Sequence, residues 1–149
     1  VESGAVAQQV DSSNKNSSDK NISEKAGDYN RQGIVNVQQG NFSQGILDFN
    51  KAIELVPSYA AAYHNLGLAY FYQKEFNQAI LNFNKSIELN SYDAGVYYDR
   101  GLAYASINEL TKALTDFQKA QQLGYPVNPG IIDELKKGIE SGKPFYFNK

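Results

Sequence analysis

Side chains that could carry out chemistry are few in this sequence. One histidine, His64, stands among 149 residues, and cysteine is absent. Those two facts exclude disulfides, a thiolate nucleophile and a metal site built from cysteines or several histidines. Asp133 and Glu134 are adjacent carboxylates, the raw material of an acid–base pair. They follow Asn128-Pro129, however, and fall in the early turns of a helix, where negative charge complements the helix dipole. No glycine-rich phosphate loop, G-x-G-x-x-G, G-x-S-x-G or paired-histidine motif occurs. Lys and Arg number 14 against 16 Asp and Glu, a net charge of −2, so no basic surface is available to neutralise phosphates. The composition points away from an enzyme and from nucleic acid, and no cofactor, metal or small-molecule substrate is expected. What remains is contact chemistry. Eleven tyrosines and eight phenylalanines supply large side chains of the kind that anchor protein interfaces.

The elements that position these rings repeat. Tyr29, Tyr63 and Tyr97 are 34 residues apart, and the same step links Gly33, Gly67 and Gly101. It also links Phe49, Phe83 and Phe117, then Leu55, Leu89 and Leu123, and Ala26, Ala60 and Ala94. Many columns sharing one period define three units, 26–59, 60–93 and 94–127. Each unit reads as two helices. In the second, Tyr63, Leu66, Gly67 and Tyr70 share one helix face, and a break at Lys74–Asn77 precedes a second helix from about Gln78 to Leu89. A glycine in mid-helix costs roughly 0.5–1 kcal/mol relative to alanine, which is tolerable where two helices must approach closely. Gly45, Ala79 and Ala113 are the small residues expected opposite, with the Tyr and Phe columns filling the remaining space.

The period, with Tyr63, Leu66-Gly67, Tyr70, Ala79, Phe83 and the Pro57 that ends the preceding unit, resembles the tetratricopeptide repeat family. The resemblance implies an all-α, right-handed solenoid of three helix-turn-helix repeats, with a C-terminal capping helix over 129–141. It also implies protein–protein interaction, as an adaptor or assembly factor that takes another protein's peptide segment in a concave groove. Several residues depart from the pattern. Gln32 and Arg100 stand in the column of Leu66, Asn36 in that of Tyr70 and Tyr104, Gly45 in that of Ala79, and Ser86 in that of Ala52 and Ala120. The first repeat departs most and is expected to be the loosest.

By that resemblance the first helix of each pair lines the groove. Its candidate contacts are Asn30, Arg31 and Ile34, with Val37 and Gln38, from the first repeat. The second supplies His64, Asn65, Leu68, Phe71 and Tyr72, and the third Tyr98, Asp99 and Leu102. Relatives that hold the acidic C-terminus of heat-shock chaperones clamp two carboxylates with Lys and Asn, then Asn, then Lys and Arg. The matching positions here are Asn30 and Ile34, Asn65, and Gly95 and Asp99. Only Asn65 agrees, and Asp99 would repel a carboxylate, so the expected ligand is an apolar or mixed segment.

The ends differ from the repeats. Residues 1–22 are rich in Ser, Asn and Gln and are expected to be a disordered tail, because they cannot bury enough apolar area to offset their chain entropy. The chain opens on Val1, and the tail reads either as a linker or as what remains after a signal segment is removed. The second reading carries an expectation of an exported or membrane-tethered location. At the other end, 143–149 form a short tail whose Phe145-Tyr146-Phe147 could dock on a second copy, which makes a homo-oligomer the rival arrangement.

Overall fold

The computed structural model describes the backbone of residues 3–142 and the side chains of residues 17–142. Among the described residues there are seven helices and no strand: α1 (Ser3–Gln38), α2 (Phe42–Leu55), α3 (Ala60–Tyr72), α4 (Phe76–Leu89), α5 (Ala94–Ser106), α6 (Leu110–Gln122) and α7 (Pro129–Ser141). None of these helices is long and apolar enough to cross a membrane. α1 pairs with α2, α3 with α4 and α5 with α6, each pair stacks on the next, and α7 covers α6.

The hairpin turns explain a boundary that the sequence pattern placed late. Gly40, Lys74 and Asn108 occupy the same place in successive turns, with φ of 80°, 63° and 62°. One left-handed residue reverses the chain so tightly that α4 starts at Phe76, two residues before the expected Gln78. Glycine adopts this conformation freely, whereas Lys74 and Asn108 adopt it against a steric cost.

The phenylalanine column forms the core. Phe49, Phe83 and Phe117 are fully buried, and burial of each ring stabilises the fold by about 1.5–3 kcal/mol. Each ring lies over the glycine of its partner helix. A β-carbon at Gly33 would come within 2.5 Å of Phe49, one at Gly67 within 2.5 Å of Phe83, and one at Gly101 within 3.1 Å of Phe117. The glycines are there because the rings occupy the space a side chain would need.

Departures from the repeat pattern are matched by partners. Asp48 is buried in the first repeat and accepts from Asn36 Nδ2 at 2.8 Å and Gln44 Nε2 at 3.2 Å. Asn36, where the other repeats have tyrosine, thus bridges the two helices of the repeat expected to be loosest. Arg100, where the second repeat has Leu66, donates through Nε and Nη2 to both oxygens of buried Asp116 and through Nη1 to Asn84 Oδ1. Burial works against the Arg100 cation, but the Asp116 carboxylate outweighs it and holds the guanidinium above its ordinary pKa. Ser86 is buried with its hydroxyl donating to the Ala60 carbonyl at 2.9 Å.

Curvature follows from which helices touch. α1 meets α3 and α3 meets α5, whereas the second helices of successive repeats are not in contact. The stack therefore closes toward the first helices, whose free face is concave.

Both ends carry findings of their own. The expected disordered tail over residues 1–22 gives way to helix from Ser3 onward, because α1 continues upstream of the repeat. No Pro or Gly interrupts residues 5–25, and a helix already nucleated on the packed Ala26–Gln38 segment propagates without a new nucleus. Residues 17–25 are nonetheless all exposed, in keeping with their lack of apolar pattern. At the C-terminus the punctuation holds. The Asn128 side chain accepts from Gly130 N at 2.9 Å, Pro129 opens the helix, and Gly142 closes it in the left-handed conformation. The tail 143–149 lies outside the described residues.

Candidate functional site

Two junctions between first helices make up the concave face, and they differ. Between α1 and α3 lies a cavity of about 190 Å³. Ile34, Val37, Phe49 and Leu68 give it apolar walls, and Gln38, Asn65 and Tyr72 give it a polar rim. Asn65 Nδ2 donates to Asn30 Oδ1 at 2.9 Å, a rung that ties the two helices beside the cavity.

Between α3 and α5 the same two columns hold His64 and Asp99 in place of Asn30 and Asn65. His64 Nε2 lies 2.6 Å from Asp99 Oδ2, and the imidazole sits edge-on to Phe83 with centroids 5.8 Å apart. Tyr98 stacks on Tyr125 at 4.5 Å and meets Phe117 edge-on at 5.3 Å. Burial pushes the Tyr98 phenol up from its ordinary pKa, and Tyr125 and Asp99 add to the effect. A β-carbon at Gly95 would lie 4.0 Å from both the His64 and the Tyr125 rings.

The candidate residues therefore divide. Ile34, Asn65, Leu68 and Tyr72 line the cavity. Asn30 is buried and serves Asn65. Arg31 is exposed and pairs with Asp28 one turn away. Phe71 leans on Phe76 at 5.4 Å and on Tyr72 at 6.1 Å. His64 pairs with Asp99 across α3 and α5, Tyr98 packs on Tyr125 and Phe117, and Leu102 packs on the core cluster around Phe117. Two rings beside the site were not singled out from the sequence. Phe42 stacks on exposed Tyr72 at 5.9 Å, and Tyr125 stacks on Tyr98. Tyr125 had a signal, since it stands in the column of Pro57, where the repeat otherwise needs only a terminator. Among the described residues, no group of acidic or histidine side chains could hold a metal ion.

A stack of three helix hairpins with a capping helix and a concave face defines a repeat solenoid of the protein-interaction class. Three sequence profiles match in turn, a TPR repeat at residues 33–74 and tetratricopeptide repeats at 60–93 and 94–123. The chain belongs to the tetratricopeptide repeat family. Among solved structures it is similar to the first TPR of Spaghetti (RPAP3) bound to HSP90 peptide SRMEEVD, with 27% identity, a TM-score of 0.72, and 80% of this chain and 94% of that one covered. It is also similar to MamA, at 27% identity and a TM-score of 0.70 over 77% of this chain and 68% of that one. The Arabidopsis OM64 TPR domain has the same fold, with a TM-score of 0.73 at 22% identity over 78% of this chain and 98% of that one. No curated protein matches.

Proposed function

We propose that this chain is a non-catalytic interaction module that holds a peptide segment of another protein on its concave face, seated over the junction of the first two repeats. The observation that carries this reading is the α1–α3 cavity, with its apolar walls and carboxamide-bearing rim. The apolar walls would take a side chain, and the carboxamides of Gln38 and Asn65 can both donate to and accept from a peptide backbone. The RPAP3 relative binds an acidic chaperone peptide, but this chain is read as a different kind of receptor. At the positions of a carboxylate clamp it has Gly95, against which His64 and Tyr125 are packed, and Asp99, already engaged by His64. A carboxylate there would meet a negative charge and no free cation.

The test is selection from a random peptide library displayed on phage, followed by fluorescence anisotropy with the synthetic peptides and with SRMEEVD. The selected peptides should lose about tenfold or more in affinity with Leu68→Ala, since each 1.4 kcal/mol is tenfold and truncating an anchor in a pocket exceeds that. SRMEEVD should not bind. Peptides indifferent to Leu68→Ala, or tight binding of SRMEEVD, would overturn the reading.

A further inference from the structure

The concave cavity does not stop at its rim. Tyr72, 56% exposed, forms part of the rim and stacks on Phe42. Phe42 in turn lines a second, open depression on the turn side of the first repeat, beside Gln44, Gln73 and Leu47, which is 54% exposed. A strip of apolar side chains therefore leads out of the groove from Tyr72 to Phe42 and on to Leu47, set among the polar groups of Asn41, Ser43, Gln44 and Gln73. Exposed side chains of this size, contiguous and bordered by amides, mark interaction surfaces more often than solitary ones do.

The strip is electrically neutral. Seven residues line the cavity and seven others the turn-side depression, and none of them is charged, although 20% of the chain is. Of the charged groups on the concave face, Arg31 is paired with Asp28 and Asp99 with His64. Polar side chains along the strip are carboxamides and the Ser43 and Tyr72 hydroxyls, each both donor and acceptor, which suits an extended backbone and supplies no countercharge to an ion. The cavity, at about 190 Å³, exceeds the roughly 150 Å³ that accommodates a benzene ring.

From this we infer that the partner is an uncharged extended segment with two apolar anchors. One, of aromatic size, enters the cavity between α1 and α3, and the other lies against Phe42 and Leu47 after the segment has crossed Tyr72. The inference rests on the groove reading above but extends the interface out of the groove and fixes the chemistry of its occupant.

Leu47→Lys alters an exposed side chain far from the fold's core, so the variant should keep its circular dichroism and melting temperature. The library-selected peptides are measured against wild type, Leu47→Lys and Leu68→Ala. The expected result is at least about tenfold weaker binding to each variant, peptides without Asp, Glu, Lys or Arg across the contact, and affinity nearly constant over a tenfold change in salt. Loss with Leu68→Ala but none with Leu47→Lys would overturn the inference and leave the groove reading intact. Acidic or basic peptides, or affinity that falls steeply with salt, would overturn the neutral occupant alone. Indifference to both variants, or a library without binders, would remove the groove reading as well.

Discussion

Arg100 and Asp116 form the ion pair with most at stake in this fold. Both Asp116 oxygens accept from one guanidinium, and Asp116 is almost fully buried. Removing the cation leaves a buried charge unpaired, so Arg100→Ala should destabilise by about 3–5 kcal/mol in chemical denaturation. The second repeat holds Leu66 and Asn82 in the same two columns. The double variant Arg100→Leu/Asp116→Asn copies that pair and should recover most of the loss, because a buried ion pair offers little over an apolar replacement of similar size. Tyr98 has a different signature. Its phenol titrates higher in the folded chain than in the unfolded one, so the native state holds its proton more tightly. The corresponding stability is fully present below the ordinary tyrosine pKa of about 10 and is lost as pH rises through the raised value. Denaturation midpoints measured from pH 9 upward should fall less steeply for Tyr98→Phe than for wild type.

At the level of the helices, the glycine column separates close approach from conformational need. Alanine in a helix interior gains roughly 0.5–1 kcal/mol over glycine, whereas overpacking a core costs about 1–3 kcal/mol. At Gly67 the new methyl would sit 2.5 Å from a fully buried ring, and at Gly101 3.1 Å. Gly67→Ala should therefore lower the melting temperature, and Gly101→Ala should change it much less. α1 has two regimes along one helix. Its segment from Ala26 on packs against α2 and α3, while residues 17–25 are exposed. A single exposed helix is marginally stable. Amide exchange should be fast through residue 25 and slow from the packed turns of α1 onward, with a sharp change near Ala26.

Across the whole molecule, contacts among the described helices run within a repeat or between successive repeats, so stability should be distributed as in a one-dimensional stack. α7 closes one end with Ile132 and the fully buried Leu135 against the cluster around Phe117. Each such side chain contributes about 1.5–3 kcal/mol. Ending the chain before Pro129 should strip exchange protection from α5 and α6 first and leave α1 and α2 nearly unchanged. The other end is finished differently. Gln32, in the column that in the second repeat puts buried Leu66 among first-repeat side chains, is exposed. No described helix covers that position of α1, so a polar residue is tolerated there without a buried partner.

The sequence by itself determined the three hairpins, their 34-residue register, the glycine–phenylalanine contacts and the cap at Asn128-Pro129. These depend on spacing within one helix or one hairpin, and periodicity carries such information directly. Of the residues it named for the concave face, Ile34, Asn65, Leu68 and Tyr72 line the α1–α3 cavity. It did not tell that His64 and Asp99 would be spent on each other and Tyr98 on Tyr125, nor that Phe42 would extend the surface beyond Tyr72. Those pairings join residues some 30 positions apart whose meeting depends on how far one hairpin rotates against the next. A period fixes which residues are equivalent, whereas that rotation is set by the shapes packed between the hairpins. Only the tertiary structure decided which side chains meet across each junction.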